Sequence, residues 1–321
     1  LKQLDWPAEI TTAQRKRQAG ELLRLGGRFE KEGLFQDAWL ALTEAAEIIE
    51  KSALPVWNGP GSGDRHLLVR RRIRHLGAEL RNARFIGRAA RDVPHVTVAT
   101  EERLVSLIQR TFPTVNVVSR TTSVPADSEA SYERLAQYYG ASAEDIAASF
   151  VPLDPPRHVQ VPGSIGIAWH STNSRKLLPA LGDWVNIVAS IDGPVQSLQY
   201  DEEKAGRREL ESLCDRPITP SPIDQMTDVD GFAALVASVE GVLTISNTTA
   251  HMAGALGIPC VVVLDDLDHL MWPAGDRTPF YPSIRLIRHN GRPSSIVIEE
   301  GLAMLRGLMK SVKSELLRAH H

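Results

Sequence analysis

The sequence predicts an α/β protein made of two blocks of parallel sheet behind a helical hairpin. Three observations predict it. Short apolar runs rich in Val, Ile and Leu alternate with helical stretches over residues 66–118, and the alternation returns over residues 164–287. Residues 12–52 carry apolar and small residues at helical spacing without any strand signal. A proline-rich stretch over residues 151–162 separates the two blocks. Strand, helix and strand in that order require parallel pairing with right-handed crossovers.

At the start, Leu22, Leu25, Gly26 and Phe29 mark one helix, Ala38, Leu42 and Ala45 a second, and Gly33 the turn between them. These spacings resemble one tetratricopeptide repeat, in which small residues let paired helices pack closely; a plain helical hairpin has the same pattern. Either way the unit cannot bury its own apolar face and needs a neighbour: the rest of the chain, further repeats upstream, or a protein partner. Residues 55–63, PVWNGPGSG, hold three glycines but precede a strand. A dinucleotide site needs strand, then glycines, then helix, so this stretch is a linker.

The first block then predicts strands at 66–69, 96–99 and 115–118, with helices at 77–91 and 101–110. Phe112-Pro113 ends the second of these helices. Residues 120–160 hold a helix at 131–139 and otherwise read as an interdomain connection. The second block predicts strands at 164–169, 195–198, 242–245, 260–264 and 284–287, and helices at 181–191, 204–214, 231–238 and 250–256. A long helical region spans 294–318. The predicted units are a hairpin over 1–53, a first α/β domain with its connection over 54–160, a second α/β domain over 161–291, and a helical region over 292–321.

Composition narrows the function classes. The chain has 321 residues, 43% of them hydrophobic, enough for two packed cores. A net charge of −3 argues against a general nucleic-acid or membrane-surface binder. The two cysteines, Cys214 and Cys260, lie far apart without metal-ligand spacing, which fits a reducing compartment, and a cytoplasmic location is expected. No apolar run reaches the ~20 residues that span a bilayer, and no signal-peptide pattern opens the chain. A chain beginning at Leu1 is expected to be a piece of a longer protein; His320-His321 are left out of the reading.

The most informative stretch is residues 241–264. A buried strand runs into Ser246, Asn247, Thr248 and Thr249, and a helix of small residues follows. Gly257 suits the position after its end, and Pro259 forbids its continuation. Hydroxyl and amide side chains cap a helix start and leave backbone N–H groups aimed outward. That end carries partial positive charge and suits a phosphate or diphosphate. Ala253, Gly254 and Ala255 keep the helix slim, and His251 lies in its first turn. The same features also describe an ordinary capped helix.

Several segments resemble a known family. IGIAWHSTNSRKLLPAL at 165–181, VQSLQ at 195–199, DVDGFAALVASVEGVLTISNTTAHMAGALGIP at 228–259 and FYPSIRLIRH at 280–289 are similar to bacterial tetratricopeptide-repeat glycosyltransferases. These are relatives of the heptosyltransferases and, more distantly, of the protein O-linked N-acetylglucosamine transferases. HLLVRR and HLGAEL, HVTVATEERLVSLIQRTFPTVNVV and YYGASAEDI match in order in the first block. The resemblance covers residues 20–295, and TTAHMAGALG is its most specific piece. It implies the GT-B architecture, two Rossmann-like domains facing a cleft. It also implies a nucleotide-sugar held through its diphosphate by Asn247, Thr248, Thr249 and His251. The family often has Asp then Thr or Ser where this chain has Ser246-Asn247, so one carboxylate is gone. Arg175 and Lys176, following the strand at 164–169, stand where they would neutralise a leaving nucleoside diphosphate; a solvated pair of loop cations is the alternative.

The resemblance also places Gly-x-Gly-Asp in the first strand-to-helix turn, its Asp taking the acceptor's proton. Here that stretch is His75-Leu76-Gly77-Ala78, and Ala78 cannot accept a proton. Glu79, one position on and about 100° around the helix, and His75 are the substitute catalytic candidates. Each also reads as a surface residue.

The expected function is therefore inverting, metal-independent sugar transfer from a nucleotide-sugar to a protein or glycan acceptor. No cofactor, metal or nucleic acid is expected, and a protein partner could dock on the helical N-terminus. The competitors are a GT-B pseudoenzyme that binds or scaffolds, and a nucleotide-sugar epimerase. Arg70, Arg71, Arg72, Arg74, Arg81, Arg84, Arg88 and Arg91 read as a solvated basic face or as recognition of an anion. Asp265, Asp266 and Asp268 invite a cation but equally read as an acidic loop. Trp169, Trp272, Phe280 and Tyr281 suit a sugar or base, or packing between domains.

Overall fold

The computed structural model describes residues 12–70, 76–173, 176–265 and 272–319. The hairpin is helix α1 (Thr12–Lys31) and helix α2 (Phe35–Ile49), turning at Gly33 with φ +76°. The helices pack closely because Gly26 has no side chain: a Cβ there would lie 2.6 Å from Leu42 Cγ.

The first block runs β1 (His66–Arg70), α3 (Leu76–Asn82), a 3-10 turn (Ala83–Phe85), α4 (Ile86–Asp92), β2 (His95–Thr100), α5 (Val105–Thr111), β3 (Asn116–Ser119), β4 (Ser128–Ser131), α6 (Tyr132–Tyr139) and α7 (Ala143–Ala148). All pairings in its sheet are parallel, in the order β3-β2-β1-β4. The predicted helix over 77–91 is thus two helices broken by the 3-10 turn. The stretch read as a connection supplies β4, α6 and α7. Ser142 and Asp145 close a capping box at the start of α7. The glycine-bearing linker is partly structural: Val56 bridges Glu129 of β4, and Trp57 is fully buried.

The second block runs β5 (Ile165–Ala168), α8 (Leu181–Ala189), β6 (Val195–Ser197), α9 (Arg207–Leu213), α10 (Val229–Ala237), β7 (Gly241–Ile245), α11 (Thr248–Leu256), β8 (Cys260–Leu264), β9 (Ile284–Arg288) and α12 (Ser294–Ala319). Its sheet is parallel in the order β6-β5-β7-β8-β9. The buried strands are continuous apolar runs, as parallel strands covered on both faces must be. The order reverses between β5 and β7, and in the first sheet between β1 and β4. Ligands of open α/β sheets bind outside the carboxyl ends of strands at such switch points.

One apolar core includes Trp39 of the hairpin, Val69 and Val98 of the first sheet, Ala253 of α11, Phe280 and Leu286. It is therefore continuous across the seam between the blocks. A second core lies on the other face of the second sheet, where Leu243 and Val261 meet Trp184 of α8 and Val297 and Leu302 of α12. The hairpin covers its apolar face on the chain itself. Trp39 donates its indole N–H to the Gly140 carbonyl at 2.6 Å and meets Phe85 and Phe280 edge-on.

Candidate functional site

The start of α11 sits at the switch point of the second sheet. Asn247 caps it: Oδ1 accepts the Ala250 N–H at 3.2 Å and lies 3.2 Å from the Thr244 hydroxyl. That hydroxyl also reaches the Ala168 carbonyl at 3.0 Å, which ties the ends of β5 and β7 together. Asn247 is buried, and its Nδ2 has no hydrogen-bond partner among the described residues. A buried donor left unpaired costs about 1–3 kcal/mol, so this amide is ready for an acceptor. Thr248, half-buried, opens the helix. Thr249 turns inward, donating to the Leu198 carbonyl at 3.2 Å, so its hydroxyl serves the fold.

Lys176 reaches the same edge from the loop after β5 and donates to the Ser246 carbonyl. Burial lowers its pKa from the ordinary lysine value, against the opposing charge of Asp265. Lys176, Ser246, Asp265 and His289 help line a narrow pocket of about 10 Å³, the space of a single water. Asp265 Oδ2 accepts the Leu177 N–H at 2.9 Å. The other two acidic positions of that loop, Asp266 and Asp268, lie outside the described residues. Arg175 and His75 also lie outside them. Among the described residues no group of three or more His, Cys, Asp or Glu gathers to hold a metal.

His251 is buried and turned toward the seam. Its Nδ1 lies 3.1 Å from the Tyr281 hydroxyl, and its ring stacks on Trp272 at 4.8 Å and 7°. Trp272 in turn donates to the Ser246 hydroxyl at 2.9 Å. Across the seam stands Gly77 in the first turn of α3, where a Cβ would lie 2.4 Å from His251 Cδ2. The two strand-to-helix turns therefore touch, and only glycine permits that approach.

Glu79, on the same turn of α3, is buried and accepts the Thr100 hydroxyl at the end of β2. Its carboxylate is thus tied into the first block. Glu133 lies near it, and burial pushes Glu133 up to about 7. Ala78, half-buried, occupies the turn itself.

Two of the arginines read as a basic face are interior. Arg81 pairs with Glu30 of α1 through two hydrogen bonds of 2.9 and 3.1 Å, both residues being buried. Arg84 lies over the rings of Phe150, Tyr281 and Phe280 at 5.3, 5.3 and 5.6 Å. Burial lowers its pKa to about 10. Cations over aromatic faces here cement the seam. Arg88 bonds Ser149. Of the four aromatics, Trp169 packs in the second core, Trp272 and Tyr281 form the wall behind His251, and Phe280 packs edge-on against Phe35 and Trp39 of the hairpin. Sequence spacing singled out His251 but not its link to Tyr281, which is thirty residues away.

No protein-family model matches the chain. It is 29% identical over 228 residues to Protein FlbA of Caulobacter vibrioides, covering 59% of this chain and 37% of that protein. The chain thus spans little more than a third of that relative's length. Among solved structures, it resembles a family 9 glycosyl transferase from Veillonella parvula (TM-score 0.54, 9% identity, 77% of this chain and 97% of that one). It also resembles E. coli ADP-heptose LPS heptosyltransferase II (TM-score 0.54, 12% identity, 77% and 99%). A third is the iron-containing dodecameric glycosyltransferase TibC of enterotoxigenic E. coli (TM-score 0.52, 12% identity, 81% and 78%). At these identities the likeness is one of fold: two facing parallel-sheet blocks of the GT-B kind. Among the described residues no helix is long and apolar enough to cross a membrane.

Proposed function

We propose that the chain is a glycosyltransferase unit that takes a sugar from a nucleotide-sugar and passes it, with inversion and without a metal, to a protein or glycan acceptor. The observation that carries this reading is the start of α11: a capped helix end at the switch point whose Asn247 Nδ2 is buried and has no partner among the described residues. Lys176 stands at the same edge. The likeness in fold to glycosyltransferases supports it.

In this reading the diphosphate lies against Asn247, Thr248 and Lys176, with His251 at its inner end, and Arg175 contributes positive charge. The acceptor oxygen bonds to the anomeric carbon as the bond from that carbon to the phosphate oxygen breaks. The leaving diphosphate keeps the electron pair, and the helix end and Lys176 stabilise its charge. The acceptor's proton goes to His75 or Glu79. Because Gly77 touches His251, the seam must part slightly to admit the sugar.

A second reading has its own observation. Ala78 stands where the resemblance places a base, and Glu79 is engaged by Thr100. A protein that binds nucleotide-sugar without transferring it would look the same at α11. Product analysis separates the two. The chain is incubated with labelled ADP-, UDP-, GDP- and CMP-sugars and with candidate protein and glycan acceptors. Transfer that falls at least a hundredfold in Glu79→Gln or His75→Gln, with nucleotide affinity retained, supports catalysis by that residue. Nucleotide binding without any transfer supports the binding module, and absence of both removes the glycosyltransferase reading.

A further inference from the structure

We propose that Glu133 is an acceptor-binding residue: its carboxyl group holds a hydroxyl of a neutral acceptor at the switch point of the first sheet. The inference rests on the reading of the first block as the acceptor side, and it names the chemistry of the ligand held there.

β4 runs directly into α6, and Glu133 is the second residue of that helix. β4 pairs with β1 at the switch point, with Arg70 opposite Ser131 in the register. Ser131 caps α6, its hydroxyl accepting the Arg134 N–H at 3.1 Å. Glu133 is 4% exposed, and its Oε2 has no hydrogen-bond partner among the described residues. A buried carboxyl oxygen without a partner destabilises a fold, so a ligand that supplies one is the use this geometry offers. Arg70 Nε is a second buried atom here without a hydrogen-bond partner among the described residues, and Glu129 Oε1 lies 4.0 Å from it. The second block leaves the Asn247 amide over at its switch point; the first block leaves an acceptor and a donor over at its own.

The charges that act on Glu133 come from α3 and are those of Arg81 and Glu79. Both belong to the seam. The Arg81 guanidinium lies 4.4 Å from the centre of the Phe280 ring. Glu79 follows Gly77, which meets His251, by two residues. On the other elements packed against α6, the charged groups are engaged elsewhere. Glu47 of α2 pairs with Arg134, and Asp92 of α4 accepts the Tyr139 hydroxyl at 2.6 Å. Arg88 bonds Ser149, and Arg84 lies over Phe150 and Tyr281.

Charges of both signs therefore stand at this switch point, Arg81 and Arg70 against Glu79 and Glu129. An ammonium ligand would meet the arginines, and an anion would meet the glutamates. A hydroxyl is neutral and both gives and takes a hydrogen bond, so it suits the carboxyl in either protonation state. Both states are present near neutral pH. Burial raises Glu133 to about 7, against its own backbone N–H, the Ser131 hydroxyl and the Arg81 charge.

Carbon-13 NMR of the full chain labelled at the glutamate carboxyls tests this, with Glu133→Gln identifying the resonance. The probes are methyl glucoside and N-acetylserine amide, both neutral alcohols, with glucosamine as the ammonium and glucuronate as the anion counterpart. The neutral probes should shift the Glu133 resonance, and the charged ones should shift it less. Glu133→Leu removes the buried carboxyl and should be at least as stable as the wild type. It should nevertheless bind the neutral probes about three- to tenfold more weakly, the worth of one hydrogen bond. Glu133→Gln, whose amide also gives and takes, should restore that binding. A Glu133 resonance unmoved by the neutral probes overturns the proposal, as does a larger shift from a charged one. Unchanged binding in Glu133→Leu overturns it too. The wild-type titration decides even where a variant fails to fold. If no nucleoside diphosphate binds the wild type, the reading of α11 fails, while the probe titration still reports Glu133 separately.

Discussion

The two strand-to-helix turns that meet at the seam, the start of α3 and the start of α11, are built to opposite ends. Both follow a central parallel strand at a switch point, and Gly77 and His251 bring them into contact. At α11 Thr249 is engaged inward, but two polar groups are left over: the Asn247 amide has no partner among the described residues, and Thr248 is half-exposed at the helix end. At α3 the polar groups face inward and are engaged. Glu79 is bound by Thr100, and Arg81 is gripped by Glu30 of the hairpin. The same supersecondary unit thus serves as a ligand edge on one side and as a clamp on the other. Substitutions around α3 should therefore move stability, and those at α11 should move ligand binding.

The largest effect should come from the clamp. Glu30→Ala leaves the Arg81 guanidinium buried without its carboxylate, a change that costs about 3–5 kcal/mol. Urea denaturation measures it, and a loss below about 1 kcal/mol would show that water reaches the pair.

A second test uses pH. Burial raises Glu133 from 4.5 to about 7, ahead of the opposing hydrogen bonds and the Arg81 charge. The folded state therefore holds this proton more tightly than the unfolded chain. Its contribution is fully present below the unfolded value and is lost as pH rises toward about 7. Stability should fall through that window by up to about 1.4 kcal/mol per pH unit. Glu133→Gln should flatten the slope; an equal slope in the variant would assign the dependence elsewhere.

Gly77→Val probes the contact between the turns. Its branches would strike an imidazole already fixed by Trp272 and Tyr281, and overpacking of this kind costs about 1–3 kcal/mol. A melting temperature equal to the wild type would mean that the seam parts freely. The smallest effect should come from the far side of the seam, where half-exposed Arg110 of α5 makes two bonds to Asp230 of α10. Arg110→Ala should cost about 1 kcal/mol or less, and salt should weaken the pair further.

What sequence could reveal follows the same division. The buried strands and the capped start of α11 were legible, because continuous apolar runs and capping residues are local signals. Strand β4 was not: Ser128-Glu129-Ala130-Ser131 carries one apolar residue and is buried because Pro55, Val56 and Trp57 pair along its outer edge. Nor was the interior position of Arg81 and Arg84, whose partners are Glu30, Phe280 and Tyr281. The hydrogen bond between His251 and Tyr281 likewise joins separate elements. Each unread feature depends on a side chain brought from elsewhere in the chain, which periodicity does not report. The placement of Glu79 shows the converse: its helix was predicted, but its inward direction depends on Thr100 across the sheet edge.

The central claim is that the start of α11 binds the diphosphate of a nucleotide-sugar. Its most direct test is the stabilisation of wild type and Thr248→Asp by nucleoside diphosphates. An aspartate in the first turn favours the helix by about 0.3–1 kcal/mol, so the variant should fold at least as well while repelling an anion. At one hundred times its dissociation constant, a bound nucleotide should stabilise the wild type by about 2.7 kcal/mol and leave Thr248→Asp unmoved. Equal stabilisation of both proteins, or of neither, would contradict an anion site at this helix end.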